Sequence, residues 1–199
     1  MSTPAPPSVL VVPLDGSDLS DRALPVAAAI ARALAVPIAL LSAGQRPGEV
    51  LTDSELAERA SQLRALGVAQ VGATARPGTD PVEAIVASSG PGVAICMATH
   101  GRSGLGTAVV GSVAAAVLRA VHEPVLLVGP AAGEVHGSGP LVLTVDGSDT
   151  SVSIVPHVLA WSQGLGWPLT VVRVARPAGL LREGPPASPD GVVEGVVAR

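Results

Sequence analysis

The chain contains no phenylalanine, no tyrosine and no lysine, and charged residues fill only 14 percent of its 199 positions. Each absence removes a class of function. Without lysine a Walker A phosphate loop cannot be built. No G-x-G-x-x-G follows a strand, no paired-glycine SGGxDS loop is present, and no G-x-S-x-G marks a nucleophile elbow. A net charge of -4 with no basic run, and no aromatics interleaved with arginine, lacks the footprint of nucleic-acid binding. The single Cys96 excludes an internal disulfide and makes a thiolate metal site untenable; within an apolar run it reads as buried filler. His122, His136 and His157 are scattered at spacings that suggest no metal site. No apolar run approaches the ~20 residues needed to cross a bilayer. The start, MSTPAPPSVLVV, has neither a basic opening nor a long apolar core, so no signal peptide is read and a cytoplasmic protein is expected.

What is present is a hydrophobic fraction of 48 percent, built from Val, Leu, Ile and Ala. That is ample for a packed core. Val9 to Leu14 is a continuous apolar run ending in Asp15-Gly16-Ser17-Asp18, a strand followed by a turn. Ala23, Val26, Ala27, Ile30, Ala31 and Leu34 form the stripe of an amphipathic helix whose first turn Pro25 should bend. Pro37 to Leu41 is a second strand. Thr52 with Glu55 forms a capping box before a helix ending at Gly67, and Val68 to Ala75 is a third strand. Asp80, Pro81 and Glu83 start a helix that Gly90 ends. Val93 to Met97, Ser112 to Val121 and Pro124 to Val128 complete the alternation as strand, helix and strand. Strands that are apolar throughout and alternate with helices predict a doubly wound parallel α/β sheet covered on both sides, in the order 3-2-1-4-5.

A first domain therefore occupies residues 1–130, and the small-residue stretch 131–139 reads as a linker. The remainder, 140–199, repeats the beginning. Asp15, Gly16, Ser17, Asp18, Ser20, Pro25 and Pro37 reappear without gaps as Asp146, Gly147, Ser148, Asp149, Ser151, Pro156 and Pro168, 131 residues on. GVVAR at 195–199 resembles GATAR at 72–76, so the second copy is expected to hold a β-α-β unit and a third strand, with no counterpart of the glycine loop.

That loop, MATHGRSGLGTAVVGS at 97–112, leaves the crevice expected between strands one and four. Gly101, Gly104, Gly106 and Gly111 permit backbone N–H groups to approach an anion, and the following helix N-terminus adds a favourable field. Arg102 is the cation near it in the sequence. The same residues allow a plainer account, in which the loop is a structural turn, Ser112 a helix cap and Asp15 a turn cap repeated as Asp146.

The DGS turn, the HGRSG-x(6)-GSVA segment and the closing PVLLV strand resemble the universal stress protein family, whose nucleotide-binding members show G-x-x-G-x(9)-G-[ST]. Gly101, nine residues and Gly111-Ser112 match that pattern; Ala98 stands where its first glycine would be. The resemblance covers 8–130 fully and 140–199 in part, like a tandem member with a truncated second domain. It implies ATP or ADP, with Mg²⁺ as companion ion, in the crevice. Carried over residue by residue, Pro13, Leu14 and Asp15 meet the adenosine, and the backbone of Ala43 reads the adenine edge. Met97, Ala98, His100, Gly101 and Arg102 lie near ribose and phosphate, and Gly111, Ser112 and Val113 hold phosphates. His100 reads as pocket lining rather than a general base, so a nucleotide-dependent regulator is expected, not a dedicated enzyme. The alternatives are a nucleotide-free interaction module, favoured by Ala98, and a slow ATP hydrolase or phosphotransferase. The resemblance also implies a homodimer through the strand Val125 to Val128.

Overall fold

The structure is a computed structural model that describes residues 5–100, 110–132 and 139–173. The chain falls into two compact units, Ala5–Ser138 and the part from Gly139 onward. The first holds five parallel strands, β1 (Val9–Pro13), β2 (Ile38–Gly44), β3 (Val71–Pro77), β4 (Val93–Ala98) and β5 (Val125–Val128), in the order β3-β2-β1-β4-β5. This is the predicted order. Leu10 pairs with Ile38 on one side and Ala94 on the other, and it is fully buried, as a central strand of a sheet covered on both faces requires.

The helices are α1 (Asp18–Asp21), α2 (Ala23–Leu34), α3 (Asp53–Ala65), α4 (Pro81–Ala87) and α5 (Ser112–Ala120). Their starts follow local chemistry. The Thr52–Glu55 capping box forms reciprocally, with the Glu55 amide donating to Thr52 Oγ1 at 3.3 Å and the Thr52 amide to Glu55 Oε2 at 2.8 Å. Asp80 Oδ1 accepts from the amides of Val82 and Glu83, with Pro81 in the first turn. Pro25 has no amide for a carbonyl one turn back, and the chain breaks at Arg22 into α1 and α2. Arg59 on α3 then clamps Asp21 on α1 through two bonds, Nε to Oδ1 at 2.9 Å and Nη2 to Oδ2 at 2.8 Å.

The core contains no aromatic ring. Small side chains let α2 settle close to the sheet, bringing the Cys96 thiol within 3.9 Å of the Ala23 carbonyl, and burial pushes that thiol up to about 12. Ser42 is a polar exception at 0 percent exposure: its Oγ accepts the Leu51 amide at 3.0 Å. Ser42→Ala strands that buried donor, so urea denaturation should show a loss of about 1–3 kcal/mol.

One expectation needed adjusting. Strand three was read as apolar throughout, yet β3 is mostly exposed, because it is the outer strand and pairs with β2 alone. Also, α2 ends at Ala35 in the left-handed region, φ 53°, with the Val36 amide donating to the Ala31 carbonyl at 2.9 Å. That turn ordinarily takes glycine. Ala35→Gly should raise the melting temperature, by the equivalent of about 0.5–1 kcal/mol, since a Cβ is disfavoured there.

The unit beginning at Gly139 contains β6 (Leu141–Val145), α6 (Asp149–Val152), α7 (Val155–Leu165) and β7 (Leu169–Arg173), with β6 and β7 parallel. The expected third strand at 195–199 lies outside the described residues, as does 133–138 of the expected linker. Among the described residues no helix is long and apolar enough to cross a membrane.

Candidate functional site

β1 and β4 lie side by side, and the chain leaves them in opposite directions, β1 toward β2 and β4 toward β5. This is the point where winding reverses, so the loops beyond the two carboxyl ends diverge and leave a crevice. A cavity of about 580 Å³ opens there.

Its floor comes from the end of β1, with Pro13, Leu14 and Asp15. Ala43 supplies the β2 wall; Met97, Ala98, Thr99 and His100 come from β4 and its exit; Gly111, Ser112 and Val113 come from the start of α5. Ten of the residues singled out in the sequence thus converge on one cavity. Gly101 and Arg102 lie outside the described residues, as do Gly104 and Gly106.

Asp15 sits in a tight turn rather than as a bare carboxylate. Its Oδ1 accepts from the Ser17 amide at 3.0 Å and the Ser17 hydroxyl at 2.6 Å, around Gly16 at φ 80°. Asp146 repeats the arrangement, taking the Ser148 amide at 2.9 Å next to Gly147 at φ 87°. The Ser151 hydroxyl and the Ser148 amide hold the Asp146 carboxyl down at about 2. The turn therefore forms in a unit that has no glycine loop, which gives DGS a structural role in both places.

The start of α5 is anchored to β4. The Thr99 amide donates to the Val128 carbonyl at 2.9 Å, and the Gly111 amide donates to the Thr99 carbonyl at 2.7 Å. A Cβ on Gly111 would come within 3.0 Å of that carbonyl oxygen. Gly111 therefore contributes closeness of approach, while its own amide is already engaged. Ser17, Thr52, Asp80 and Ser148 cap α1, α3, α4 and α6 through their side chains; α5 begins on Gly111 with no side-chain cap. Ser112 and Val113, in the first turn where amides lack partners within the helix, line the cavity at the positive end of α5. Ser112 is the first helical residue, not the cap.

His100 Nδ1 lies 2.9 Å from Thr99 Oγ1, and Nε2 is buried with no hydrogen-bond partner among the described residues. With the Thr99 hydroxyl donating to Nδ1, Nε2 carries the proton and is a donor.

Sequence reasoning named Arg102 as the nearby cation and missed Arg46. The turn after β2 places Gln45, Arg46 and Glu49 on the cavity wall; Glu49 Oε2 accepts the amides of Gln45 and Arg46 at 3.1 and 3.0 Å. A Cβ at Gly44 would sit 2.5 Å from Glu49 Cβ, so the turn folds tightly back. Leu41, Ser20, Pro81, Ile85 and Ala114 also line the cavity without having been singled out. Among the described residues no three His, Cys, Asp or Glu side chains are grouped to hold a metal ion.

Residues 8–129 match the model of the Universal stress protein family. A comparison with curated proteins gives no match. Solved structures resemble the chain. A universal stress protein from Archaeoglobus fulgidus DSM 4304 is 19 percent identical, with a TM-score of 0.63 over 85 percent of this chain and 68 percent of its own. Another, from Archaeoglobus fulgidus, is 27 percent identical with a TM-score of 0.49, over 64 percent of this chain and 98 percent of its own. A universal stress protein solved in complex with cAMP is 28 percent identical, TM-score 0.49, over 62 and 98 percent. The family match spans more than half of the chain, and with the β3-β2-β1-β4-β5 sheet it settles the assignment: the chain belongs to the universal stress protein family.

Proposed function

We propose that the cavity binds an adenine nucleotide, ATP or ADP, and that occupancy regulates the protein's contacts in a cytoplasmic stress response. The observation that carries this is the uncapped start of α5. Ser112 and Val113, whose amides lack partners within the helix, line a cavity of about 580 Å³, within the ~300–1,000 Å³ usual for small-molecule sites. Residues of the right chemistry surround it. Ala43 and Met97 offer apolar contact for the base, Asp15 a carboxylate for ribose hydroxyls, and His100 Nε2 a ring nitrogen without a partner among the described residues. Gly101 and Arg102 complete the phosphate side in this reading, with Mg²⁺ accompanying the nucleotide.

The nucleotide supplies a polyanion whose charge the protein senses; the chain's own groups bind and orient it. Rapid hydrolysis is not part of the proposal. His100 Nδ1 is engaged with Thr99 and Asp15 Oδ1 with Ser17, so neither is poised to activate water. We further propose that the part from residue 140 onward begins a second copy of the first unit, on the strength of the β6–β7 register, and that chains pair through β5, an outer strand whose Leu127 is 38 percent exposed.

Ala98 favours a second reading, a nucleotide-free interaction module, since its methyl lines the cavity where the family's binding pattern has glycine. Calorimetry with ATP separates the two. Saturable heat at one nucleotide per chain is expected; its absence leaves only the second reading.

A further inference from the structure

Two walls of the cavity are tied to each other. One wall carries Asp15 and Ser20, from the turn and short helix that follow β1; another carries Gln45, Arg46 and Glu49, from the turn between β2 and α3. Arg59 on α3 joins them through Asp21 on α1, with Nε 2.9 Å from Oδ1 and Nη2 2.8 Å from Oδ2, while Nη1 donates to the Glu55 carbonyl at 3.3 Å. A bidentate guanidinium–carboxylate pair fixes direction as well as distance. Neither Arg59 nor Asp21 lines the cavity.

From Asp21 a run of hydrogen bonds leads to the Asp15 carboxylate. The Asp21 amide and the Ser20 hydroxyl donate to the Ser17 carbonyl at 3.1 and 2.8 Å, the Ser20 amide donates to Ser17 Oγ at 3.1 Å, and the Ser17 hydroxyl donates to Asp15 Oδ1 at 2.6 Å. α1 is a single turn, Asp18–Asp21, too short to hold its direction unaided.

The unit from Gly139 onward is an internal control. There the Ser148 amide donates to Asp146 Oδ1 at 2.9 Å, and the amide and hydroxyl of Ser151 donate to the Ser148 hydroxyl and carbonyl at 3.2 and 3.0 Å, so α6 forms as α1 does. Yet the residue 131 positions after Asp21 is Val152, 49 percent exposed. The DGS turn and the short helix behind it therefore form without an acidic residue at that place. What the Arg59–Asp21 pair adds in the first unit is the placing of the turn relative to the β2 wall.

We infer that Arg59 and Asp21 are positioning residues for the nucleotide site, holding the Asp15 carboxylate where it meets the ribose hydroxyls and so setting a preference for nucleotides that carry them. The inference rests on the nucleotide reading above. A hydrogen bond is lost when its partner is misplaced by about 1 Å. Breaking the pair should accordingly erase the ribose preference and spare the rest of the affinity.

Calorimetry with ATP and with dideoxy-ATP, which lacks both ribose hydroxyls, tests this on the full chain. The wild type should prefer ATP about tenfold or more, the worth of one hydrogen bond to a charged group. In Arg59→Met and in Asp21→Asn the preference should fall below about threefold, through weaker ATP binding with dideoxy-ATP affinity nearly unchanged. The double variant should match either single one, since both act through one contact. Circular dichroism melts verify that each variant is folded, and a merely structural loss would weaken the two nucleotides alike. A wild-type chain that binds no ATP removes the nucleotide reading and this inference with it. Saturable ATP binding without a ribose preference, a preference that both variants retain, or an equal loss for both nucleotides would overturn the inference alone.

Discussion

Ser112→Pro is expected to weaken ATP binding about 10–100-fold while leaving the melting temperature nearly unchanged, since one amide bond to a charged group is worth about 1.5–3 kcal/mol. The substitution is chosen for what it spares. Proline suits the first helical position, where its φ is already set and the amide has no partner within the helix. Gly111, at ψ 156°, holds the extended conformation that a residue before proline requires. The change therefore removes one donor aimed at the cavity without disturbing α5. Ser112→Ala is the companion: it removes the hydroxyl, keeps the amide, and should cost ATP affinity much less. Calorimetry on both variants, beside thermal melts, reads the contrast. Unaltered ATP affinity in Ser112→Pro would place the polyphosphate somewhere other than the start of α5.

Ile95→Ala should lower the stability of the first unit by about 3–4 kcal/mol, within the range for deleting a large aliphatic side chain from a core that cannot collapse around the gap. Ile95 is fully buried in a cluster with Val11, Leu41, Ile85, Met97 and Val117, which joins three strands to α4 and α5. Because these elements also carry the cavity walls, loosening them should weaken any ligand bound there. The measurement is urea denaturation followed by far-UV circular dichroism, because both tryptophans, Trp161 and Trp167, lie in the unit that begins at Gly139 and report only on it. Val142→Ala, at a position 59 percent exposed, is the control and should shift stability by less than about 0.5 kcal/mol. A loss of under about 1 kcal/mol at Ile95 would mean the core tolerates the cavity and packs more loosely than its burial implies.

Much of the fold was readable because its signals are local. The Thr52–Glu55 box and the Asp80–Pro81 start sit within four residues, and both form as expected. The doubly wound order placed β1 and β4 centrally, and both are buried. β3 was read as apolar throughout although the predicted order already put it at the edge, where fewer neighbours cover it and Gly, Thr and Arg are tolerated. Ala35 carries no sign of a left-handed helix end, because the Ala31–Val36 bond that enforces it belongs to the folded turn.

The site divides in the same way. Asp15, Ala98, His100 and Gly111 could be named from turn chemistry and a motif. That Gly111 spends its amide on Thr99, leaving Ser112 and Val113 as the donors, came only from the backbone path. Arg46 likewise looked like part of an ordinary Gly-Gln-Arg-Pro-Gly turn, and it reaches the cavity because β2 lies beside β1.

Composition and short-range pattern thus set the helix starts and the DGS turns, which depend on interactions within one or two turns of chain; the class of fold and its winding order were legible only through the alternation of apolar strands with helices. Which amides remain open, how far each outer strand is exposed and which residues meet across the crevice required the whole sheet. Those properties are differences between groups already paired and groups left over, and the pairing is made by segments tens of residues apart.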